Sequence, residues 1–267
     1  MRAFAEIYLQ QFKTSFAATL QYRASLVIWL IGHVLEPLVF LIVWSTVSST
    51  SGGSIGGFTS EGFAAYFILL MLVNHVTYTW IMYEFEYRIS NGTLSFALLK
   101  PIHPIHSDIA DNIASKLITM PFMLIIAGIL SLSFHPVLSP AVWSVCLAFP
   151  ALLLALLIRF LLEWTLAQAA FWTTRVGAIN QIYFVLLLFF SGQLAPLALY
   201  PPFIQGVATF LPFRLMISFP LELLLGRLTP SQALVGFAAQ VVWLLVSIVL
   251  IRIVWRAGIR IYSAVGA

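Results

Sequence analysis

The chain has 267 residues, of which 61% are hydrophobic and 8% charged, with a mean hydropathy of +1.02; a water-soluble domain carries about 25% charged residues. Thirteen Lys and Arg and nine Asp and Glu side chains cannot clothe a soluble surface of this size, because extended apolar patches drive association. This excludes a soluble enzyme, a nucleic-acid binder and a disordered linker. The single cysteine, Cys146, excludes a disulfide framework, a four-cysteine zinc site and an iron–sulfur cluster. An all-α polytopic membrane protein remains, as a single transmembrane domain over residues 1–267.

The first element in the chain is amphipathic. In residues 1–22, Phe4, Tyr8, Phe12 and Phe16 fan across one face, with Glu6, Gln10 and Lys13 opposite. This predicts a helix lying along the inner membrane surface, too polar to be a signal-peptide core. A membrane-crossing helix needs roughly 20 mostly apolar residues, and six stretches qualify. The first, 24–47, is interrupted by His33 and Glu36-Pro37. The second, 62–83, has aromatic residues at both ends, as an interfacial belt requires: Phe63, Tyr66 and Phe67, then Tyr78, Trp80 and Tyr83. The third, 109–134, opens with Asp108 and Asp111, placed to favour the helix dipole. The fourth, 141–172, is uncharged until Arg159, the fifth covers 181–200, and the sixth, 230–256, opens at the N-cap and proline pair Thr229-Pro230.

Positive charge sets the orientation. With the N-terminus inside, Arg2, Lys13, Arg23, Arg88, Lys100, Lys116, Arg175, Arg252, Arg256 and Arg260 are cytoplasmic. Only Arg214 and Arg227 lie outside, and Arg159 lies within the fourth span. Six spans with both termini cytoplasmic are expected, and the pI near 9.4 follows without any nucleic-acid partner. The alternative makes the fifth segment a re-entrant hairpin and puts the C-terminus outside, against the charge rule.

Two connecting segments are too short to span. After Glu84, Glu86 and Arg88, Asn91-Gly92 breaks the chain and Pro101 and Pro104 stop it. A helix of at most about ten residues, roughly 15 Å, is left at 90–100. It is expected to expose Leu94, Phe96, Leu98 and Leu99 on the cytoplasmic side, a surface that needs lipid headgroups or a protein as cover. Further on, Pro201-Pro202, Pro212 and Pro220 cut 201–226 into short pieces. These read as an external re-entrant or surface pair, tolerated at membrane depth only where protein or water satisfies the backbone. A plain amphipathic external loop is the alternative.

Two patterns carry a family resemblance. One is Arg88-Ile-Ser-Asn-Gly-Thr-Leu-Ser-Phe-Ala-Leu-Leu-Lys-Pro101; the other is Ser191-Gly192-Gln193-Leu194-Ala195-Pro196, followed by Tyr200-Pro201-Pro202 and Leu211-Pro212-Phe213. Their order relative to the spans resembles the membrane subunit of a type 2 ATP-binding-cassette exporter, of the small bacterial six-span class. The resemblance implies half of a translocation pathway, working as a dimer with itself or with a related chain in the cell membrane. It also implies a coupling segment seated in separate cytoplasmic ATPase subunits, with Arg88, Gly92, Leu94, Phe96, Leu98, Leu99 and Pro101 as coupling residues. Glu84, Glu86 and Arg88 would fix that joint through charge pairs with the N-terminal helix or the ATPase. The residues agree on the missing motor: a phosphate-binding loop needs a glycine-rich turn before Lys-Ser or Lys-Thr, and the only Lys-Thr, Lys13-Thr14, has no glycine before it. No cofactor is therefore expected on this chain, and ATP and Mg belong to the partner.

Several patterns imitate an enzyme. Gly52-Gly53-Ser54-Ile55-Gly56 has the letters of a nucleophile elbow but reads as a flexible external loop. His103, His106, Asp108 and Asp111 are metal-donor types, yet Pro104 and a helix start account for their spacing, so capping is expected and no metal site. Asn91-Gly92-Thr93 is a glycosylation sequon by letter only, being inside. An intramembrane lipid-processing enzyme is disfavoured because no nucleophile, base and orienting group come together.

Ionisable groups within spans are functional candidates. Arg159 and Glu163, four apart, are expected to pair, with Arg159 snorkelling to the inner interface. His33, Glu36, Asn74, His75 and Gln193 are candidates for the pathway or the subunit interface. Protonatable His33 and Glu36 would also suit a proton-coupled carrier.

Overall fold

The computed structural model describes residues 2–21, 23–173 and 176–262, without the side chains of 2–5, 19–20 and 23–27; the expectations for Phe4, Arg2, Arg23 and Arg175 lie outside this description. The twelve α-helices among the described residues are α1 (Arg2–Gln21), α2 (Arg23–Thr50), α3 (Ser60–Thr77), α4 (Ile81–Ser90), α5 (Leu94–Leu98), α6 (Pro104–Phe134), α7 (Val142–Ala167), α8 (Gly177–Phe190), α9 (Pro202–Phe210), α10 (Pro212–Met216), α11 (Ser218–Leu224) and α12 (Pro230–Ile261). Five stretches among the described residues are long and apolar enough to cross a membrane: 28–50, 60–90, 104–134, 142–171 and 230–261. The expected fifth span differs. Its helix, α8, starts earlier and has only 14 residues, about 21 Å. It ends at Ser191-Gly192, where Gly192 has φ +85°. A Cβ there would lie 2.6 Å from the Tyr66 hydroxyl and 2.9 Å from Ser218 Oγ.

The second span is also interrupted. α3 stops at Thr77, Tyr78 is extended, and α4 starts at Ile81. Expected and observed boundaries agree best where cap chemistry is explicit. Thr229 and Gln232 form a reciprocal capping box at the start of α12, satisfying two otherwise orphaned backbone donors. At α6 the cap is different from expectation: the helix begins at Pro104, and the His103 ring accepts from Ile105 N at 3.2 Å. Asp108 and Asp111 therefore stand beyond the first turn and bond to other helices.

The glycine-rich loop is a two-residue hairpin. β1 (Ser54–Ile55) pairs antiparallel with β2 (Phe58–Thr59), and Gly56 and Gly57 at the turn have φ of 56° and 78°, the positive values that tight hairpin turns need. Ser48 Oγ donates toward Gly53 O and Phe58 O. The expected flexible loop is thus ordered, because its carbonyls find a partner at the end of α2.

The core gathers on α3, whose Phe63, Tyr66, Phe67, Leu70, Met71 and Val73 are at most 2% exposed. α2, α6, α7 and α11 pack around it. By contrast α2, α6 and α12 carry outward apolar rows, such as Ile28, Ile31, Leu35 and Val39 on α2, as helices facing hydrocarbon should.

The chain between the fifth and sixth expected spans folds back into the bundle. α9 lies outermost, with Phe203 and Phe210 exposed. α10 then descends until Phe213 and Met216 reach Tyr183, and α11 returns. The break between α10 and α11 frees Leu215 O, which accepts from Gln240 Nε2 of α12 at 3.0 Å, and Arg214 pairs with Glu222 at 3.0 Å across it. Protein groups satisfy this broken backbone.

Candidate functional site: α5 and the polar centre

α5 is shorter than the expected segment, five residues after a turn at Asn91-Gly92-Thr93 with Gly92 at φ +68°. Its surface also differs. Leu94 is fully buried and Leu98 half-buried, both packed on the core, whereas Phe96 is 70% and Leu99 82% exposed. With one turn and a half of helix, only one side can face outward, so two of the four expected apolar side chains anchor α5 and two project. Ser95 Oγ and Tyr262 OH, 2.9 Å apart, tie it to the end of α12. Pro101, past the end of α5, is exposed.

Behind α5, Arg88 of α4 meets Glu84 at 3.1 Å and Asp108 of α6 at 2.6 Å. The other Asp108 oxygen accepts from Trp164 Nε1 of α7 at 2.8 Å. Of the three charges expected to pair with the N-terminal helix or the ATPase, Glu84 and Arg88 pair with each other and Arg88 also with Asp108 of α6, and Glu86 forms no ion pair among the described residues. The N-terminal helix bonds elsewhere: Tyr8 OH to His106 and Ser15 Oγ to Asp111, both on α6. The packed face of α1 is thus Tyr8, Phe12 and Ser15, while Phe16 points outward. Burial holds the Tyr8 hydroxyl above its ordinary pKa, so it is un-ionised at neutral pH.

A polar centre surrounds the break between α3 and α4. The last carbonyls of a helix lack intrahelical partners, and here Tyr78 O receives Lys116 Nζ at 2.6 Å and Asn112 Nδ2 at 3.5 Å. Asp108, Asn112 and Lys116 recur every four residues, so they form one stripe of α6. Asn74 and Thr77, three apart on α3, accept from Arg159 at 2.8 and 3.0 Å. Arg159 is 1% exposed and pairs with Glu163 at 2.8 Å. The pairing is as expected; the snorkelling is not, because α3 offers acceptors that a lipid-facing helix would lack. Glu163 also accepts from Thr79 and from Tyr183 OH. Lys116, expected on the cytoplasmic side of the third span, stands instead about 18 Å along α6, at the level of the break.

Four of the five intramembrane candidates line one cavity of about 670 Å³: His33, Glu36, Asn74 and Gln193, with Trp29, Tyr78, Tyr83 and Phe184 as aromatic walls. Gln193 Nε2 is 3.4 Å from Asn74 Oδ1. His75 lies just behind, sharing a 2.9 Å hydrogen bond with Thr119, and lines a second cavity toward α1 and α6. His33 is 3.9 Å from Trp29 and 4.6 Å from Tyr78, measured between ring centroids. Sequence inspection missed Lys116, Thr77, Thr79, Tyr183 and the Arg88–Asp108 pair. The four-residue spacing on α6 was the available signal.

Charged and polar groups of α3, α6 and α7 are thus gathered among helices long and apolar enough to cross a membrane. Residues 34–266 match the model of the ABC-2 family transporter protein, and the chain belongs to that family. It is a multi-pass membrane protein, the permease component of an ABC transporter, a family that associates with ABC ATPases. A search of curated proteins finds no match.

Proposed function

We propose that this chain forms half of the translocation pathway of an ATP-driven exporter in the cell membrane. Separate cytoplasmic ATPase subunits, carrying the ATP and Mg, dock on α5, and a second copy or a paired related permease faces the cavity side. Six crossings are proposed: α8 and the non-helical stretch after it complete the fifth. In support, Tyr262 lies at α5, whereas Leu199 lies at the β-hairpin, where a Cβ on Gly56 would meet it. The N- and C-termini are then both cytoplasmic, and lipid covers the exposed apolar rows.

One observation carries the coupling role: Phe96 and Leu99 project from a helix whose other side, Leu94, is buried. Water does not favour two large apolar groups held out together, and a groove on a protein partner would cover them. The Arg88–Asp108–Trp164 chain ties α4, against which α5 packs, to α6 and α7, so a push on α5 reaches the spans.

Affinity purification in mild detergent tests this. The wild-type chain is expected to bring with it a subunit bearing a phosphate-binding loop, identified by mass spectrometry. Phe96→Asp with Leu99→Asp is expected to abolish that association while membrane insertion is kept. Unchanged association of the double variant overturns the assignment. His33 and Glu36 on one cavity wall favour a second reading, a proton-coupled carrier; it requires transport in ATP-free vesicles under a pH gradient.

A further inference from the structure

We propose that the cavity between α2 and α8 binds an organic cation on an apolar body, with Glu36 as its counter-charge and Trp29, Tyr83 and Phe184 as its walls. The inference deepens the transport reading and rests on it for the cavity's role as a path for cargo.

Charge accounting leads there. Two full charges among the described residues line the cavity, Arg159 and Glu36. Arg159 is spent: it is 1% exposed, pairs with Glu163 at 2.8 Å and donates to Asn74 and Thr77. Glu36 forms no ion pair or hydrogen bond among the described residues. An isolated carboxylate on a membrane-spanning helix is costly without a partner, so the cavity's uncompensated charge is negative and a mobile cation satisfies it. The walls suit the same ligand. Tyr83 and Phe184 stack with ring planes 10° apart and centroids at 6.1 Å, and Trp29 meets His33 edge to face, with ring planes 62° apart. Aromatic faces attract cations, most strongly when water is excluded. About 670 Å³ is room for a drug-sized molecule. Among the described residues that line it, no cationic group is left free for an anion.

The test uses the full chain in lipid nanodiscs and two probes alike in size and opposite in charge, tetraphenylphosphonium and tetraphenylborate. Saturable binding is measured by equilibrium dialysis against empty nanodiscs. The expected result is at least tenfold tighter saturable binding of tetraphenylphosphonium. Glu36→Gln is expected to weaken it about tenfold and to leave tetraphenylborate unchanged, and Glu36→Asp to retain the preference. Equal affinity for both probes in the wild type overturns the proposal, as does a Glu36→Gln protein that binds the cation normally. If neither variant yields monodisperse protein, the wild-type preference decides alone. Binding is read without any ATPase, so failure of the coupling assignment leaves this result standing and failure here leaves the coupling result standing.

Discussion

Arg159 and Glu163 show how a single side chain is held inside a membrane helix. Both are at most 2% exposed, and each satisfies the other at 2.8 Å. Removing one partner from a buried pair leaves an uncompensated charge, at a cost of about 3–5 kcal/mol. Arg159→Met is therefore expected to lower thermal stability in detergent sharply, and Arg159→Met with Glu163→Leu to recover part of the loss. Thermal unfolding followed by tryptophan fluorescence checks this; a single variant as stable as wild type would show that water enters the site. The pair itself was legible, because residues four apart on a helix face each other. Its depth was not: the acceptors Asn74 and Thr77 come from α3, about 80 positions earlier, and Thr79 is available to Glu163 only because α3 breaks there.

At the scale of elements, local chemistry was readable wherever a cap or a proline determines the backbone, as at Thr229-Pro230, Asn91-Gly92 and Pro212. It failed where two residues compete for one role. At the start of α6 the histidine before the proline, rather than either aspartate, closes the helix, since Pro104 has no N–H and places Ile105 N within reach of the His103 ring. Burial, and then the neighbouring His106, hold the His103 imidazole below its usual pKa, about 6.5 unfolded. A group lowered in the folded state contributes stability above its unfolded pKa and loses it as pH falls through the folded value. Acidification from pH 7.5 to 5.5 should therefore lower the melting temperature, by loss of a cap worth about 1 kcal/mol. His103→Asn, which accepts without titrating, should remove this part of the pH dependence. Melting curves of the two proteins across that range decide it; parallel profiles would show that the ring is not the cap that matters. The five residues of α5 follow the same lesson. Apolar composition announced an apolar helix, but only the packed neighbours decide that Leu94 points in and Phe96 out.

For the whole molecule, charge distribution and the placement of chain ends bear on the same question, how many times the chain crosses. Five long helices alone would leave the two ends of the bundle unequal, and α8 is too short by itself to add a sixth. Yet Tyr262 reaches Ser95 and Phe171, while Arg227 sits over the Phe58 ring at 3.4 Å at the hairpin end. The chain must therefore pass from one end to the other between residues 177 and 227. A short helix completes that passage because Gly192 turns beneath Tyr66 and Ser218, whose hydroxyls occupy the space a side chain would need. Cysteine labelling turns this into a measurement. Cys146 is exposed and is first replaced by serine, so that each new thiol is read alone. A membrane-impermeant maleimide is expected to label Ser51→Cys in intact cells, and to label Asn91→Cys and Arg260→Cys only after the membrane is opened. Labelling of Arg260→Cys in intact cells would mean an odd number of crossings, with α8 and the segments after it returning to the side they came from. The basic residues Arg252, Arg256 and Arg260 would then face outward, against the charge asymmetry that the rest of the sequence keeps.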